Sequence, residues 1–327
     1  MVYFKYKGGE VLSDKRSIGV FDSGLGGLTV LKELRRIMPN ENYVYFGDTG
    51  RVPYGSRSDE TILKYAAQDE AFLLSHDVKI IIAACGTVSS LSLDKESRLP
   101  TPFFEMVTPA ARAASRVTKN GKIGVIGTPA TIKSAAHRRE LLKINGHFEI
   151  SAEACPLFVP MVESGWYGAD DEVVKGVVKR YIKPIKDSGC DTLIMGCTHY
   201  PVLRIAIDDY LGGKVALINP GEELAREVYT YLNAKCMLND KSEIISTLKS
   251  ASNGENKTVN TDTSTRSINN NGRNSGEGRQ SGKCCGVTEY FVSDRPDSFM
   301  QQALILLGEQ ARGSITQIDI EKQGVPI

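Results

Sequence analysis

Two cysteines stand in the same unusual position. The stretch "IIAACGTVSS" (81–90) ends an apolar run on Cys85, and "LIMGCTHYP" (193–201) ends another on Cys197. A threonine follows each within two residues. A thiol at the carboxyl end of a strand, where a loop or helix begins, meets backbone N–H groups that stabilise its thiolate. The ordinary thiol pKa of about 8.5 is near enough to neutrality for either protonation state to serve. A hydrolase needs one nucleophile and a base, and a redox enzyme needs two sulfurs in a bondable pair. Inversion of a carbon centre needs a base on one face and an acid on the other, which two thiols exchanging roles provide symmetrically. An α-hydrogen is far less acidic than a thiol. Without a cofactor to delocalise the carbanion, the site must stabilise charge electrostatically and exclude water. Asp22, Ser23, Thr87, Thr198, His199 and Glu163 are the polar groups available for that.

The elements that must position these residues alternate. "SIGVFDSGLGGLTVLKELRRIM" reads as strand, glycine-rich turn and helix, with Val30, Leu34, Ile37 and Met38 at helical spacing. "NYVYFGD" is a second strand, "ETILKYAAQDEAFLLSHD" an amphipathic helix and "VKIIIAAC" a third strand. The pattern then restarts: "KIGVIGTPATIKS" echoes the first strand and turn, and "EVVKGVVKRYIKPIKDSG" leads into "CDTLIMGC" as the earlier helix led into Cys85. This predicts an α/β protein of two pseudo-symmetric halves with mainly parallel sheets and the active site in the cleft between them. Ligands in such sheets bind beyond the carboxyl ends of the strands, so two facing halves can aim two thiols at one point. The expected first domain combines residues 1–110 with 221–327, and the second spans 111–220. Between about 239 and 286 the chain turns Asn/Ser/Thr/Gly-rich and too poor in apolar residues to offset its ordering entropy, which predicts a disordered insertion. "TEYFVSDRPDSFMQQALILLG" restores a strand and a final helix.

Composition narrows the function. Forty basic and 39 acidic residues leave a net charge of +1, with no bulk attraction to nucleic acid or an anionic membrane. No apolar run approaches a membrane span and the N-terminus lacks the apolar stretch of a secretion signal, so a cytoplasmic location is expected. The seven cysteines then read as thiols. Cys155 and Cys190 suit packing, and Cys284 and Cys285 edge the insertion. Cys197 and His199 are too few ligands to hold zinc, so no metal is expected. "DSGLGG" fails the dinucleotide fingerprint at Thr29 and lacks a P-loop lysine, which leaves a helix N-terminus suited to a carboxylate. His76, His137 and His147 lie outside any motif and read as structural. In isolation, Asp22 and Glu163 also fit helix caps or solvated carboxylates.

Together, "FDSGLGGLTVLKEL", "YFGDTGRVPYG", "IIAACGTVSS", "FVPMVESG" and "LIMGCTHYPVL" resemble the bacterial glutamate racemases of the cofactor-independent aspartate/glutamate racemase superfamily. The similarity runs from about Ile18 to Gly221, and "YFVSDRPDSF" is similar to the family's last strand and helix. Aspartate racemases of the superfamily typically carry glutamate where His199 stands. The resemblance implies that Cys85 and Cys197 are the acid/base thiols, with Asp22 beside the first and His199 beside the second. Glu163 matches an acidic residue near the second thiol. Asp22, Ser23, Tyr54, Gly55, Gly86, Thr87, Thr198 and His199 are implied to line the substrate site. It implies conversion of L-glutamate to D-glutamate for peptidoglycan synthesis with no cofactor. The expected partner is the small-molecule substrate; a homodimer is admitted, and neither nucleic acid nor membrane is expected.

One departure bears on this reading. The family reads Cys-Asn-Thr where this chain has Cys85-Gly86-Thr87. Glycine offers no side-chain hydrogen bond, a loss of roughly 1.5–3 kcal/mol where the partner is charged. A racemase for another amino acid is therefore a rival reading. A Cys–His hydrolase on Cys197 and His199 and a binding protein without turnover are the others. Deletion of Lys241–Gly282 is expected to leave turnover unchanged, checked by initial rates from either enantiomer; a collapse of the rate would tie the segment to the working fold.

Overall fold

Short apolar strands are stable when helices cover both faces of their sheet, and this chain builds two such sheets. The computed structural model describes residues 6–7, 10–11, 14–93, 99–239, 286–307, 311 and 313–322. Apart from Asn239 and Gly286, the expected insertion and its edge cysteines Cys284 and Cys285 lie outside the described residues. The strands β1 (Tyr6–Lys7) and β2 (Glu10–Val11) form a small antiparallel pair. The first large sheet takes β3 (Ile18–Asp22), β4 (Tyr43–Gly47), β5 (Ile80–Ala83) and β6 (Phe103–Phe104). The second takes β7 (Lys122–Gly127), β8 (Glu149–Ala154), β9 (Thr192–Met195) and β10 (Ala216–Ile218). Then β11 (Thr288–Val292) and β12 (Ile315–Gln317) return to the first sheet.

Every neighbouring pair in both large sheets is parallel. The spatial orders are β12-β11-β4-β3-β5-β6 and β10-β9-β7-β8. Counting the first four strands of each, both sheets run second, first, third, fourth: one winding used twice. In that winding the crossovers diverge between the first and third strands and leave a crevice at their carboxyl ends. Asp22 closes β3 and Cys85 follows β5 at one such point; Thr128 and Cys197 follow β7 and β9 at the other.

Strand alternation sets the layers. Ile18, Val20, Ile80 and Ile82 pack with Leu28, Leu31 and Leu34 of the helix Gly27–Ile37 and with Leu224 and Val228 of the helix Pro220–Ala234. Phe21, Ile81 and Ala83 point the other way, onto Ile62, Ala66 and Phe72 of the helix Asp59–Leu74. In the second sheet Ile126, Leu193 and Met195 meet Val178, Ile182 and Ile185 of the helix Glu172–Asp187. The chain passes to the second sheet through the helix Val107–Val117 and leaves it through Pro220–Ala234. Arg112–Glu227 (3.0 Å) and Arg116–Glu223 (3.3 Å) join these two helices.

His137, on the helix Ala136–Ile144, supports the second switch point from behind: a Cβ on Gly196 would lie 3.1 Å from its Cε1 atom. Its Nδ1 has no hydrogen-bond partner among the described residues, and burial alone lowers its pKa to about 4. The imidazole is thus neutral in the fold, while the unfolded chain binds a proton once the pH drops below the ordinary 6.5. Stability should therefore fall as pH drops from 6.5 toward 4, by about 3 kcal/mol in all. Urea titrations across that range should show a shallower loss in His137→Phe; parallel pH profiles would contradict this account.

Candidate active site

Cys85 is the N-cap of the short helix Gly86–Leu91, so the chain turns from strand to helix at the sulfur-bearing residue. The hydrogen bond from Ala84 N–H to the Phe21 carbonyl (2.8 Å) fixes this turn beside the end of β3. The Cys85 sulfur donates to Ser23 Oγ at 3.5 Å. Asp22 is fully buried; its Oδ2 accepts from Gly24 N–H at 2.9 Å, and no described donor reaches Oδ1. Burial raises the Asp22 pKa, against the opposing charge of His199. Burial first, then the Asp22 charge, push the Cys85 thiol up to about 12. A thiolate at Cys85 and a carboxylate at Asp22 therefore disfavour each other.

The second thiol has the opposite kind of neighbour. Cys197 Sγ lies 3.8 Å from His199 Nδ1, and His199 Nε2 lies 3.1 Å from Glu163 Oε1. Glu163 ends the helix Phe158–Glu163, and His199 caps the 3-10 turn Tyr200–Leu203. Burial opposes charge on His199, yet hydrogen bonds to Cys197 and Glu163, with their negative charge, raise its pKa to about 10. At neutral pH the imidazolium donates from both nitrogens. It can stabilise negative charge on the Cys197 sulfur or hand it a proton.

The two groups face each other. Cys85 and Asp22 lie within electrostatic range of Cys197 and His199, respectively. Thr29 Oγ1 donates to the Thr198 carbonyl at 2.8 Å, and Thr87 Oγ1 bonds Thr128 Oγ1 at 3.0 Å. Gly26 meets the same wall, since a Cβ there would fall 2.2 Å from Thr198 Oγ1. Both cysteines are buried, with Cys85 4% and Cys197 6% exposed. Cys155 and Cys190 are buried in the second sheet's core, and Cys236 is exposed. Among the described residues no group of three or more His, Cys, Asp or Glu side chains is arranged to hold a metal.

The Tyr54 side chain is held by a buried polar cluster. Its hydroxyl bonds Asp48 and Asp69, and Arg51 bridges the same two carboxylates. The phenol is thus committed to these side chains, and the backbone of Tyr54 and Gly55 is what remains for the cleft. Gly55 faces the opposite sheet, where a Cβ would lie 2.7 Å from Thr128 Cβ. Three residues in this arrangement escape a reading by spacing. Thr128 caps the helix Pro129–Ser134, Thr29 bonds across the cleft, and Gln302 Nε2 donates to the Glu163 carbonyl at 3.5 Å. Only Thr128 carries a signal: it follows the strand that echoes β3.

Comparison with known proteins identifies the family. Residues 24–228 match the family model described as Asp/Glu/Hydantoin racemase. The chain is 43% identical over 229 residues to the glutamate racemase of Geobacter metallireducens, covering 70% of this chain and 84% of that protein. It is 35% identical over 309 residues to the glutamate racemase of Thermoanaerobacter pseudethanolicus, covering 94% and 99%. Among solved structures, the glutamate racemase of Francisella tularensis in complex with D-glutamate superposes with a TM-score of 0.74 at 31% identity, covering 94% of this chain and 99% of that one. The chain belongs to the Asp/Glu/Hydantoin racemase family.

Proposed function

We propose that the chain is a glutamate racemase, interconverting L- and D-glutamate by proton transfer between two thiols and supplying D-glutamate for peptidoglycan synthesis. The observation that carries this reading is the pair Cys85 and Cys197, each beyond the third strand of the same winding and each beside its own ionisable partner. The glutamate racemases of G. metallireducens and T. pseudethanolicus support the substrate, and so does the D-glutamate bound in the F. tularensis structure.

With the α-carbon between the sulfurs, one thiolate removes the hydrogen from one face and the opposite thiol returns a hydrogen to the other. The two sulfurs end with exchanged protonation. Cys197 is the side prepared to carry negative charge, because His199 supplies a cation beside it. Cys85 is the side prepared to donate. The thiolate formed there lies against Asp22, whose raised pKa suits it to hold a proton and pass it to that sulfur, restoring the thiol and leaving the carboxylate. Glu163 acts through His199 as a positioning residue. Ser23, Thr87, Thr198 and the backbone at Tyr54, Gly55 and Gly86 supply donors for the carboxylates. We group residues 1–110 with 221–327 and 111–220 as two domains that open for substrate and close over it. No described helix is long and apolar enough to cross a membrane, and a cytoplasmic site of action fits the role.

Each enantiomer, run separately in deuterated water, should yield product labelled at the α-carbon from the first turnovers. Cys85→Ala and Cys197→Ala should each lower kcat by about 10³-fold or more in both directions. Wild-type turnover in either variant would sink the assignment, and a panel of other amino-acid enantiomers identifies the substrate if glutamate is not turned over. Because Glu163 raises the His199 pKa, Glu163→Gln should release the imidazolium proton at lower pH. The alkaline limb of kcat/KM should then move toward neutrality relative to wild type; an unmoved limb would remove Glu163 from the relay.

A further inference from the structure

The missing side chain at position 86 has a neighbour that fills its place. A Cβ on Gly86 would lie 2.2 Å from the Gly196 carbonyl oxygen, 3.1 Å from its carbon and 3.3 Å from Cys197 Cα. Nonbonded carbon contacts settle near about 3.5 Å, so any side chain would require a shift of roughly 1 Å. Gly86 has no left-handed φ; the backbone tolerates any residue there, and the proximity of Gly196 alone excludes one.

Gly196 cannot retreat. Its N–H bonds the Ile126 carbonyl of β7 at 2.7 Å. A Cβ of its own would meet that carbonyl at 2.8 Å and the His137 ring at 3.1 Å. The obstacle is backbone just beyond β9, tied to β7 by that bond, with no rotamer through which to yield. A side chain at 86 would therefore act as a spacer between the β5 end of one sheet and the β9 end of the other, and Cys197, the next residue after Gly196, would move back with its sheet.

We propose that Gly86 is a positioning residue that sets the closest approach of the two thiol-bearing segments, backbone against backbone. The inference rests on the two-thiol reading above. It turns an apparent loss, the side-chain donor that related enzymes carry, into the condition for full closure in this chain.

The test is Gly86→Ala and Gly86→Asn, with kcat and KM in both directions and site-resolved alkylation of the free enzyme by iodoacetamide. Both variants should lower kcat by about 10- to 100-fold while KM changes much less, the pattern of misplaced reacting groups. Both should speed alkylation of Cys85 and Cys197 while Cys155 and Cys190 stay protected. Wild-type kcat or wild-type alkylation rates in either variant overturn the proposal. So does parallel exposure of Cys155 and Cys190, which marks general loss of packing. A Gly86→Asn enzyme faster than wild type would also overturn it, since position 86 would then be a vacated substrate contact. A wild-type enzyme inactive on every amino-acid enantiomer would instead overturn the underlying functional reading, while the alkylation rates report the spacing independently.

Discussion

A sulfur atom can take a proton from carbon only if the charge it carries beforehand is tolerated in a place from which water is excluded. That constraint explains why neither thiol stands alone. Two unit charges about 4 Å apart interact by about 4 kcal/mol at an effective dielectric constant of 20, close to three units of pKa. One neighbour is therefore enough to decide which protonation state a buried sulfur holds. Asp22 makes negative charge at Cys85 costly, while the His199 imidazolium, itself secured by Glu163, makes it tolerable at Cys197. The free site is chemically asymmetric although its scaffold is not.

The scaffold supplies the symmetry through repetition of one winding. In each sheet the crevice opens between the first and third strands, and each sheet places a cysteine just beyond the third. Facing the two sets of carboxyl ends then brings the thiols together without any long-range device. Hydroxyl bridges do the rest: Thr29 to the Thr198 carbonyl and Thr87 to Thr128 hold the two walls in register. Glycines serve this contact because Gly86 lies against the Gly196 backbone and Gly26 against the Thr198 and His199 side chains, and a side chain at either would prevent it.

Much of this was legible in the sequence. Apolar runs ending on cysteine placed both thiols at strand ends, and the restart at "KIGVIGTPATIKS" announced the repeated winding now seen in the strand orders. The less legible parts are those decided by partners distant in the chain. The partner of the Tyr54 hydroxyl is one such part, since Asp69 arrives on a separate helix fifteen residues further on. Glu163 is one polar candidate among several in the sequence, because nothing in its spacing reveals that His199 will lie 3.1 Å away. The edge strand β12, only three residues long, was not anticipated after the final helix. His137 reads as an ordinary structural histidine, and its place behind Gly196 emerges only once the sheet is assembled.

Gly86 shows how a sequence departure can change meaning once its surroundings are known. Read alone, it is a hydrogen bond removed, roughly 1.5–3 kcal/mol where the partner is charged. In the fold, the volume is filled by the Gly196 carbonyl. A contact between two backbones is stiffer than one through a side chain, which could adopt another rotamer and shift the stopping point of closure. The closure we propose would matter because expelling water strengthens each electrostatic interaction around the thiols. In the function and closure we propose, the lost donor would weaken the grip on substrate in the ground state, whereas the tighter approach would act on the reacting groups themselves. Only interactions stronger in the transition state than in the ground state accelerate the chemistry, so the second effect bears more directly on turnover.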